Sequence, residues 1–201
     1  MNAPQQSCSR AVFLDRDGVI NVEREYLWRI EEFEFVPGVV GALQRLVSAG
    51  WRLVVVTNQS GIARGYYGED DYQRLTAHLR AELAAADVHF DGVLHCPHLP
   101  DAPVVAYRRA CDCRKPAAGL LRQAASELSL DLTQCVLVGD KLSDVQAGRA
   151  AGLSRCWLVR SGHVVSATDA AAADGVFDDL AACVDAMLPL PPHVAAGSTS
   201  R

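Results

Sequence analysis

The chain has no long apolar run and no concentration of positive charge. None of its apolar stretches approaches the ~20 residues that a membrane-spanning helix needs. The first ten residues, MNAPQQSCSR, lack the apolar core of a secretory signal peptide. The formal net charge is -5, and the 24 acidic and 19 basic residues are interspersed, so no basic surface for nucleic acid is predicted. We therefore expect a cytoplasmic protein that acts on a small molecule, with no nucleic-acid or membrane partner.

Internal repeats are also absent, and only the tail PLPPHVAAGSTSR is rich in Pro, Gly and Ser. Half of the 201 residues are hydrophobic, which is enough to fill one core. We predict a single domain over 11–188, a flexible N-terminus over 1–10 and a disordered tail over 189–201. No predicted helix has an apolar face left over for another subunit, so we expect a monomer.

Apolar runs of strand length alternate with segments of helical period. Strands are predicted at AVFLD (11–15), RLVVVTN (52–58), GVLHC (92–96), CVLVGD (135–140) and RCWLVR (155–160), with a short strand and a last helix in 175–188. Helices are predicted at 39–47, 69–83, 120–128 and 145–152. Continuous apolar strands that alternate with helices indicate an α/β fold, with a doubly wound, Rossmann-like parallel sheet and helices on both faces.

The seven cysteines fall into groups with different surroundings. In a reducing compartment, clustered thiols indicate a metal site or catalysis rather than disulfides. Three cysteines stand in apolar surroundings and are predicted to be small buried side chains: Cys135, Cys156 and Cys183. Cys96, Cys111 and Cys113 instead bracket the one long irregular loop of the domain, so they need a separate explanation.

Polar side chains follow three of the predicted strands. Asp15 and Asp17 follow the first, Thr57 ends the second and Asp140 ends the fourth, while Lys115 starts a helix. One such residue is usually a turn former or a helix cap, but the carboxyl ends of parallel strands meet in one crevice. Several carboxylates gathered there need a cation, and Mg²⁺ suits carboxylates and a phosphate. Such a set can transfer phosphate through a carboxylate nucleophile, a second carboxylate that moves protons, and a lysine and hydroxyl that hold phosphate oxygens.

Four segments, in order, resemble the motifs of the haloacid dehalogenase (HAD) phosphatase superfamily: FLDRDGVIN, VVVTNQSGIARG, CDCRKP and VGDKLSD, which span about residues 11–160. The resemblance implies Asp15 as the nucleophile and Asp17 as the general acid and base. It implies that Thr57 and Lys115 hold the phosphate. It also implies that Mg²⁺ is bound by the Asp15 carboxylate, the Asp17 backbone carbonyl and Asp140.

Two further features follow from this resemblance. Asp144 is expected either to support the metal site or to stabilise a helix turn. The superfamily often inserts a cap domain after the first or second motif, and this sequence has no large insertion at either place. We therefore expect an open site that is closed only by short loops, such as 23–30 and 60–68.

The segment CPHLPDAPVVAYRRACDC (96–113) carries a pair of candidate metal ligands at each end. Cys96 and His98 form one pair, and Cys111 and Cys113 form the other. Three thiolates and one imidazole make a closed tetrahedral set for structural Zn²⁺, although each pair is one residue tighter than the common spacing. The segment resembles the zinc loop of the heptose bisphosphate and histidinol phosphate branches of the superfamily. Zinc is then expected to fix the position of Lys115, which follows the last ligand closely.

The segment NQSGIARG (58–65) and the length of the zinc loop resemble the heptose bisphosphate branch more than the histidinol branch. That branch removes the 7-phosphate of a heptose 1,7-bisphosphate. A bisphosphate needs cations away from the reacting phosphate, and Arg114 and Lys141 are the best candidates because each adjoins a motif residue. Contacts to sugar hydroxyls are predicted for Glu23, Arg24, Tyr26, Asn58, Gln59 and Ser60. His163 shows no pattern of partners and is expected to be a surface residue.

Two other functions stay open at this stage. A histidinol phosphate phosphatase would bind a cationic amine, so it would favour an acidic pocket rather than a basic one. A zinc-bearing interaction module would need no chemistry, yet every residue that the chemistry requires is present.

Overall fold

A single parallel sheet forms the centre of the molecule. In the computed structural model, which describes residues 9–188, its six strands are β1 (Ala11–Leu14), β2 (Arg52–Asn58), β3 (Gly92–Cys96), β4 (Val136–Gly139), β5 (Arg155–Val159) and β6 (Gly175–Phe177). Their order is β3-β2-β1-β4-β5-β6, and each neighbouring pair is parallel. The order reverses between β1 and β4, which is the doubly wound topology predicted from the sequence.

Helices cover both faces of the sheet. Within the described part of the chain they are α1 (Val39–Ser48), α2 (Ser60–Arg64), α3 (Glu69–Ala84), α4 (Gly119–Leu128), α5 (Leu142–Ala151), α6 (Ala167–Ala172) and α7 (Leu180–Met187). On β1, Val12 and Leu14 face the core made with α1, α3 and α7, whereas Phe13 faces the core made with α4 and α5. This alternation explains why the strands read as continuous apolar runs, since both of their faces are buried.

The structure differs from the prediction at short elements. Residues 60–64 form α2 instead of a loop, and 167–172 form α6, because helices this short offer no periodic pattern. Helix α5 begins at Leu142, three positions before the predicted start. Its first turn is stabilised by Asp144, whose carboxylate accepts a hydrogen bond of 3.0 Å from the Lys141 backbone N–H.

The remaining sequence predictions concern burial and the chain ends. Cys135, Cys156 and Cys183 are at most 1% exposed, so their predicted burial is confirmed. No helix in the described range is both long and apolar enough to cross a bilayer. The predictions for the two ends fall mainly on 1–8 and 189–201, outside the described residues. Arg10, inside the range, places its guanidinium 4.4 Å from the centre of the Trp51 ring.

Candidate active site

The segments after β1, β2 and β4 converge because these three strands are neighbours. Leu14 of β1 pairs with Val55 of β2 and with Val138 of β4, so their carboxyl ends lie side by side. A cavity of about 460 Å³ opens there. Its lining consists of Asp15, Asp17, Glu23, Glu25, Tyr26, Thr57, Asn58, Gln59, Ser60, Arg64, Tyr67, Arg114, Lys141 and His163. Most residues that the sequence predicted for the site therefore meet at one cavity.

Lys115 lies at the base of this site, buried with only 3% of its surface exposed. Its ammonium nitrogen is 3.1 Å from Asp15 Oδ2 and 2.5 Å from Asp144 Oδ1, and it donates a hydrogen bond of 2.8 Å to the Val56 carbonyl. Burial alone would lower the pKa of Lys115, but attraction to Asp144 and Asp15 outweighs it and raises that pKa. The lysine is therefore charged while it holds Asp15.

Asp15 is a carboxylate whose surroundings oppose its ionisation. Burial raises the pKa of Asp15 to about 7, Lys115 acts against that rise, and the carboxylates of Asp144, Asp140 and Asp17 add to it. Its Oδ1 accepts a hydrogen bond of 2.8 Å from the Arg16 backbone N–H, and its own N–H donates to the Val138 carbonyl at 3.0 Å. An added cation would favour the ionised form.

Asp17 is held by Arg16, a residue that the sequence analysis did not single out. Arg16 is 1% exposed and donates to both carboxylate oxygens of Asp17 at 2.9 Å. Asn21 donates to Oδ1 and Gln59 donates to Oδ2, each at 3.0 Å. Burial opposes ionisation, but the charge of Arg16 and these hydrogen bonds outweigh it and lower the pKa of Asp17. The sequence contained one sign of this role, because Arg16 is a charged residue inside a motif that begins in a predicted buried strand.

Asn58 and Gln59 line the cavity, yet their side chains bind protein groups. Asn58 donates to the Lys115 carbonyl and accepts from the Lys115 N–H, both at 3.0 Å, so it fixes the backbone of that lysine. Gln59 also donates to the Thr57 hydroxyl at 2.9 Å and accepts from the Tyr67 hydroxyl at 2.6 Å. The predicted sugar contacts of these two residues stay predictions, and their visible role is to position neighbours.

The structure departs from the prediction at Arg24 and adds to it at His163. Arg24 is not among the described residues that line the cavity, because its guanidinium pairs with Glu34 at 2.6 Å on the exposed surface. His163 is exposed, as expected for a surface residue, but it also has a partner that no sequence pattern indicated. Its ring Nδ1 lies 2.7 Å from Asp140 Oδ2, and the residue lines the cavity. The segment after β5 carries no motif, so no sequence pattern predicted its place at this cavity.

The carboxylates of this site suit a divalent cation. Ligand oxygens of Asp15, Asp140 and Asp144 all lie within 4.8 Å of one another. Asp140 is 2% exposed, and its Oδ1 has no hydrogen-bond partner among the described residues. A buried carboxylate oxygen without a partner is costly unless a cation faces it. Oxygen ligands of this kind fit Mg²⁺.

A second group of possible metal ligands lies in the long loop after β3. The Sγ atoms of Cys96, Cys111 and Cys113 are 3.1–3.5 Å apart, and His98 Nδ1 is 3.3 Å from Cys113 Sγ. Sulfur atoms around one tetrahedral Zn²⁺ lie about 3.8 Å apart at Zn–S bonds of ~2.3 Å, so the four donors need only small shifts to hold the ion. The fold therefore brings together all four residues that the sequence predicted as zinc ligands.

The chain is similar to known phosphatases over most of its length. Residues 112–183 match the family model described as HAD-hydrolase-like. D-glycero-beta-D-manno-heptose-1,7-bisphosphate 7-phosphatase of Yersinia pestis is 46% identical, over 85% of this chain and 91% of that protein. D-glycero-alpha-D-manno-heptose-1,7-bisphosphate 7-phosphatase of Photorhabdus laumondii is 44% identical, over 81% of this chain and 88% of that protein.

Solved structures show the same similarity. The crystal structure of D,D-heptose 1,7-bisphosphate phosphatase from B. bronchiseptica, complexed with magnesium and phosphate, superposes with a TM-score of 0.77. The two sequences are 34% identical, and the match covers 89% of this chain and 98% of the other.

Proposed function

Because this chain belongs to the heptose-1,7-bisphosphate phosphatase family of the HAD-like hydrolases, we propose that it removes the 7-phosphate of D-glycero-D-manno-heptose 1,7-bisphosphate. The observation that supports this most is the contact of buried, charged Lys115 with Asp15 at the edge of the cavity. A nucleophilic carboxylate beside a fixed cation suits attack on a phosphate, which brings its own negative charge.

We propose that Mg²⁺ is held by Asp140 Oδ1, the Asp15 carboxylate and the Asp17 backbone carbonyl. When bound, the ion favours ionised Asp15 and offsets the charge of the phosphate. Lys115 and the Thr57 hydroxyl bind the remaining phosphate oxygens. In the protein alone, burial raises the pKa of Asp15 to about 7, so a bound cation would favour the ionised nucleophile.

In the first step, a carboxylate oxygen of Asp15 attacks phosphorus. The new bond to Asp15 forms as the bond between phosphorus and the C7 oxygen breaks, and Asp17 donates a proton to that oxygen. In the second step, Asp17 accepts a proton from water while the water oxygen attacks the aspartyl phosphate. Inorganic phosphate leaves, and the Asp15 carboxylate is restored.

Asp17 must change partners during this cycle. In the structure it is bonded to Arg16 and Gln59, and its lowered pKa favours the carboxylate that acts as a base. To act first as an acid, it has to exchange Arg16 for the leaving oxygen of the substrate. The negative charge of a bound phosphate then favours the protonated form of Asp17.

The phosphate that is not hydrolysed needs cations elsewhere in the cavity. Arg114 and Lys141 line it, and Arg114 is fixed by a hydrogen bond of 3.3 Å to the His98 carbonyl in the zinc loop. We propose that these two side chains bind the anomeric phosphate, and that Glu23, Tyr26 and Ser60 contact sugar hydroxyls.

We further propose that Cys96, His98, Cys111 and Cys113 hold a structural Zn²⁺. Four protein ligands close the coordination shell, so no substrate position is left on such an ion. We propose a cytoplasmic location, because thiolate ligands stay reduced in a reducing compartment.

Phosphate release from purified protein in Mg²⁺ tests the function. Both anomers of the heptose bisphosphate, histidinol phosphate and fructose bisphosphate should be compared by kcat/KM. We expect one heptose anomer to be the best substrate, and a higher kcat/KM on histidinol phosphate would contradict the proposal. Asp15→Asn should abolish turnover with an unchanged fold, and turnover retained in that variant would exclude the aspartyl phosphate.

A further inference from the structure

The segment that follows β5 joins two loops of the active site. This segment, residues 161–163, is called the brace here. The Ser161 hydroxyl donates a hydrogen bond of 2.6 Å to the Gly18 carbonyl in the loop after β1. His163 contacts Asp140 in the loop after β4, through its backbone N–H at 3.1 Å and its ring Nδ1 at 2.7 Å. The brace therefore connects the two loops that carry the proposed Mg²⁺ ligands.

The two oxygens of Asp140 have different surroundings. Both donors from His163 meet Oδ2, whose two lone pairs are then occupied. Oδ1 is buried and has no partner among the described residues. The contacts of His163 thus select the one orientation of the carboxylate in which Oδ1 is free for a cation.

Backbone atoms confine the same carboxylate from two sides. A Cβ atom added at Gly162 would lie 2.1 Å from Asp140 Oδ2, and one added at Gly18 would lie 2.5 Å from it. Gly18 also has a φ of +81°, which favours glycine. These close approaches require glycine at both positions, so the backbone at Gly18 and Gly162 confines the Asp140 carboxylate.

Glu23 is the other carboxylate near His163, and it is the more distant partner. Its Oε2 lies 3.7 Å from His163 Nδ1 and 3.8 Å from the Lys141 ammonium nitrogen. A hydrogen bond of normal length exists only to Asp140. Since a carboxylate can only accept, Nδ1 carries the proton in this contact.

We propose that His163 is a positioning residue for the catalytic cation, which it serves by orienting Asp140. The inference rests on the proposed function only for the presence of Mg²⁺ at Asp140. Partners that orient a metal ligand typically change metal affinity by about 10- to 100-fold when they are removed. Half of the imidazole is exposed, so its replacement leaves the buried core unchanged.

The test measures Mg²⁺ binding without substrate, by calorimetry on the full chain. His163→Ala should weaken Mg²⁺ binding about tenfold. His163→Asn should restore it to within about threefold, because the Asn side-chain N–H is reached from the backbone through the same number of bonds as Nδ1–H. His89→Ala, which removes an exposed histidine before the amino end of β3, is the matched control and should leave the affinity unchanged.

Unfolding in Mg²⁺-free buffer separates positioning from stability. We expect the thermal midpoints of all three variants to match the wild type there, with the difference for His163→Ala emerging only as Mg²⁺ is added. Unchanged Mg²⁺ affinity in His163→Ala, or an Asn variant as weak as the Ala variant, would overturn the inference. If Mg²⁺ binding depends on His163 as described but heptose bisphosphate is not hydrolysed, the proposed function fails while this inference stands.

Discussion

The ammonium group of Lys115 is shared by two carboxylates with different tasks. Asp15 faces the cavity, whereas Asp144 is 1% exposed and lies behind the lysine at the start of α5. Taking a charge out of water costs several kcal/mol unless opposite charges replace the solvent. Asp144 supplies that charge, and it also binds the Lys141 N–H, which is the helix-turn role that the sequence analysis left open.

Asp144→Asn tests this division of tasks. The amide oxygen can still accept from the Lys141 N–H, but the charge that faces Lys115 is lost. We expect turnover to fall about 10- to 100-fold and the free energy of unfolding to fall by up to about 3 kcal/mol. Phosphate release and urea unfolding measure the two effects.

Asp185→Asn is the matched control for that variant. Asp185 pairs with Arg45 on the surface, where its side chain is 61% exposed, and such pairs contribute under about 1 kcal/mol. Its activity should equal that of the wild type. Equal losses in the two variants would contradict a special role for Asp144.

At the scale of elements, the sequence predicted what depends on long patterns. The strands and the motif residues at their ends were found because buried parallel strands are continuous apolar runs with polar ends. Helices α2 and α6 were missed because they are too short to show a period. Arg16 and His163 were missed because their contacts depend on how loops meet, which no local pattern encodes. The brace follows β5 without any motif of its own.

Helix α5 packs against β5 closely enough to require a glycine. A Cβ added at Gly148 would lie 2.4 Å from Cys156 Sγ, whereas one added at Gly41 in α1 meets no atom within 4 Å. Gly148→Ala should therefore lower the free energy of unfolding by about 1–3 kcal/mol through overpacking. Gly41→Ala should raise it by about 0.5–1 kcal/mol through helix propensity. Urea unfolding of both variants is the measurement, and the same sign in both would contradict the packing argument.

If the loop of Cys96, His98, Cys111 and Cys113 holds Zn²⁺ as proposed, it positions Lys115 through the short link from Cys113. We expect removal of Zn²⁺ to lower turnover even when Mg²⁺ is saturating, because Arg114 and Lys115 lose their fixed support. Hydrogen exchange of residues 97–112 should rise in the same sample. Metal analysis must verify the loss of zinc, and re-addition of Zn²⁺ should restore both values. Full activity in verified zinc-free protein would exclude the structural role.

At the scale of the whole molecule, buried thiols make stability sensitive to alkaline pH. Burial raises the pKa of Cys156 to about 11 and that of Cys183 to about 12, from an ordinary value of 9.0. Above pH 9 the unfolded chain loses these protons while the folded protein keeps them. The contribution of the two thiols to the free energy of unfolding is therefore fully present below pH 9. It falls as pH rises from 9 to about 11 for Cys156 and to about 12 for Cys183.

Each thiol should contribute a slope of about 1.4 kcal/mol per pH unit within its window. Cys183→Ala should remove one such contribution between pH 9 and 11, whatever its stability at neutral pH. Gly41→Ala, which removes no titrating group, should keep the wild-type slope. Urea unfolding across this pH range gives the slopes, and an unchanged slope in Cys183→Ala would refute the assignment.

The expectation of a monomer is a prediction at this scale as well. Sedimentation of the full chain should give a mass of 21.6 kDa, and a larger mass would contradict it.

The span of chain between Asp15 and the brace has a consequence for biosynthesis. Asp15, the proposed nucleophile, leaves the ribosome early, whereas His163, which we propose orients Asp140, emerges only after the fifth strand. A nascent chain therefore contains five of the six strands before those contacts can form. Premature termination anywhere before the brace would thus leave the proposed nucleophile without the contacts that orient Asp140.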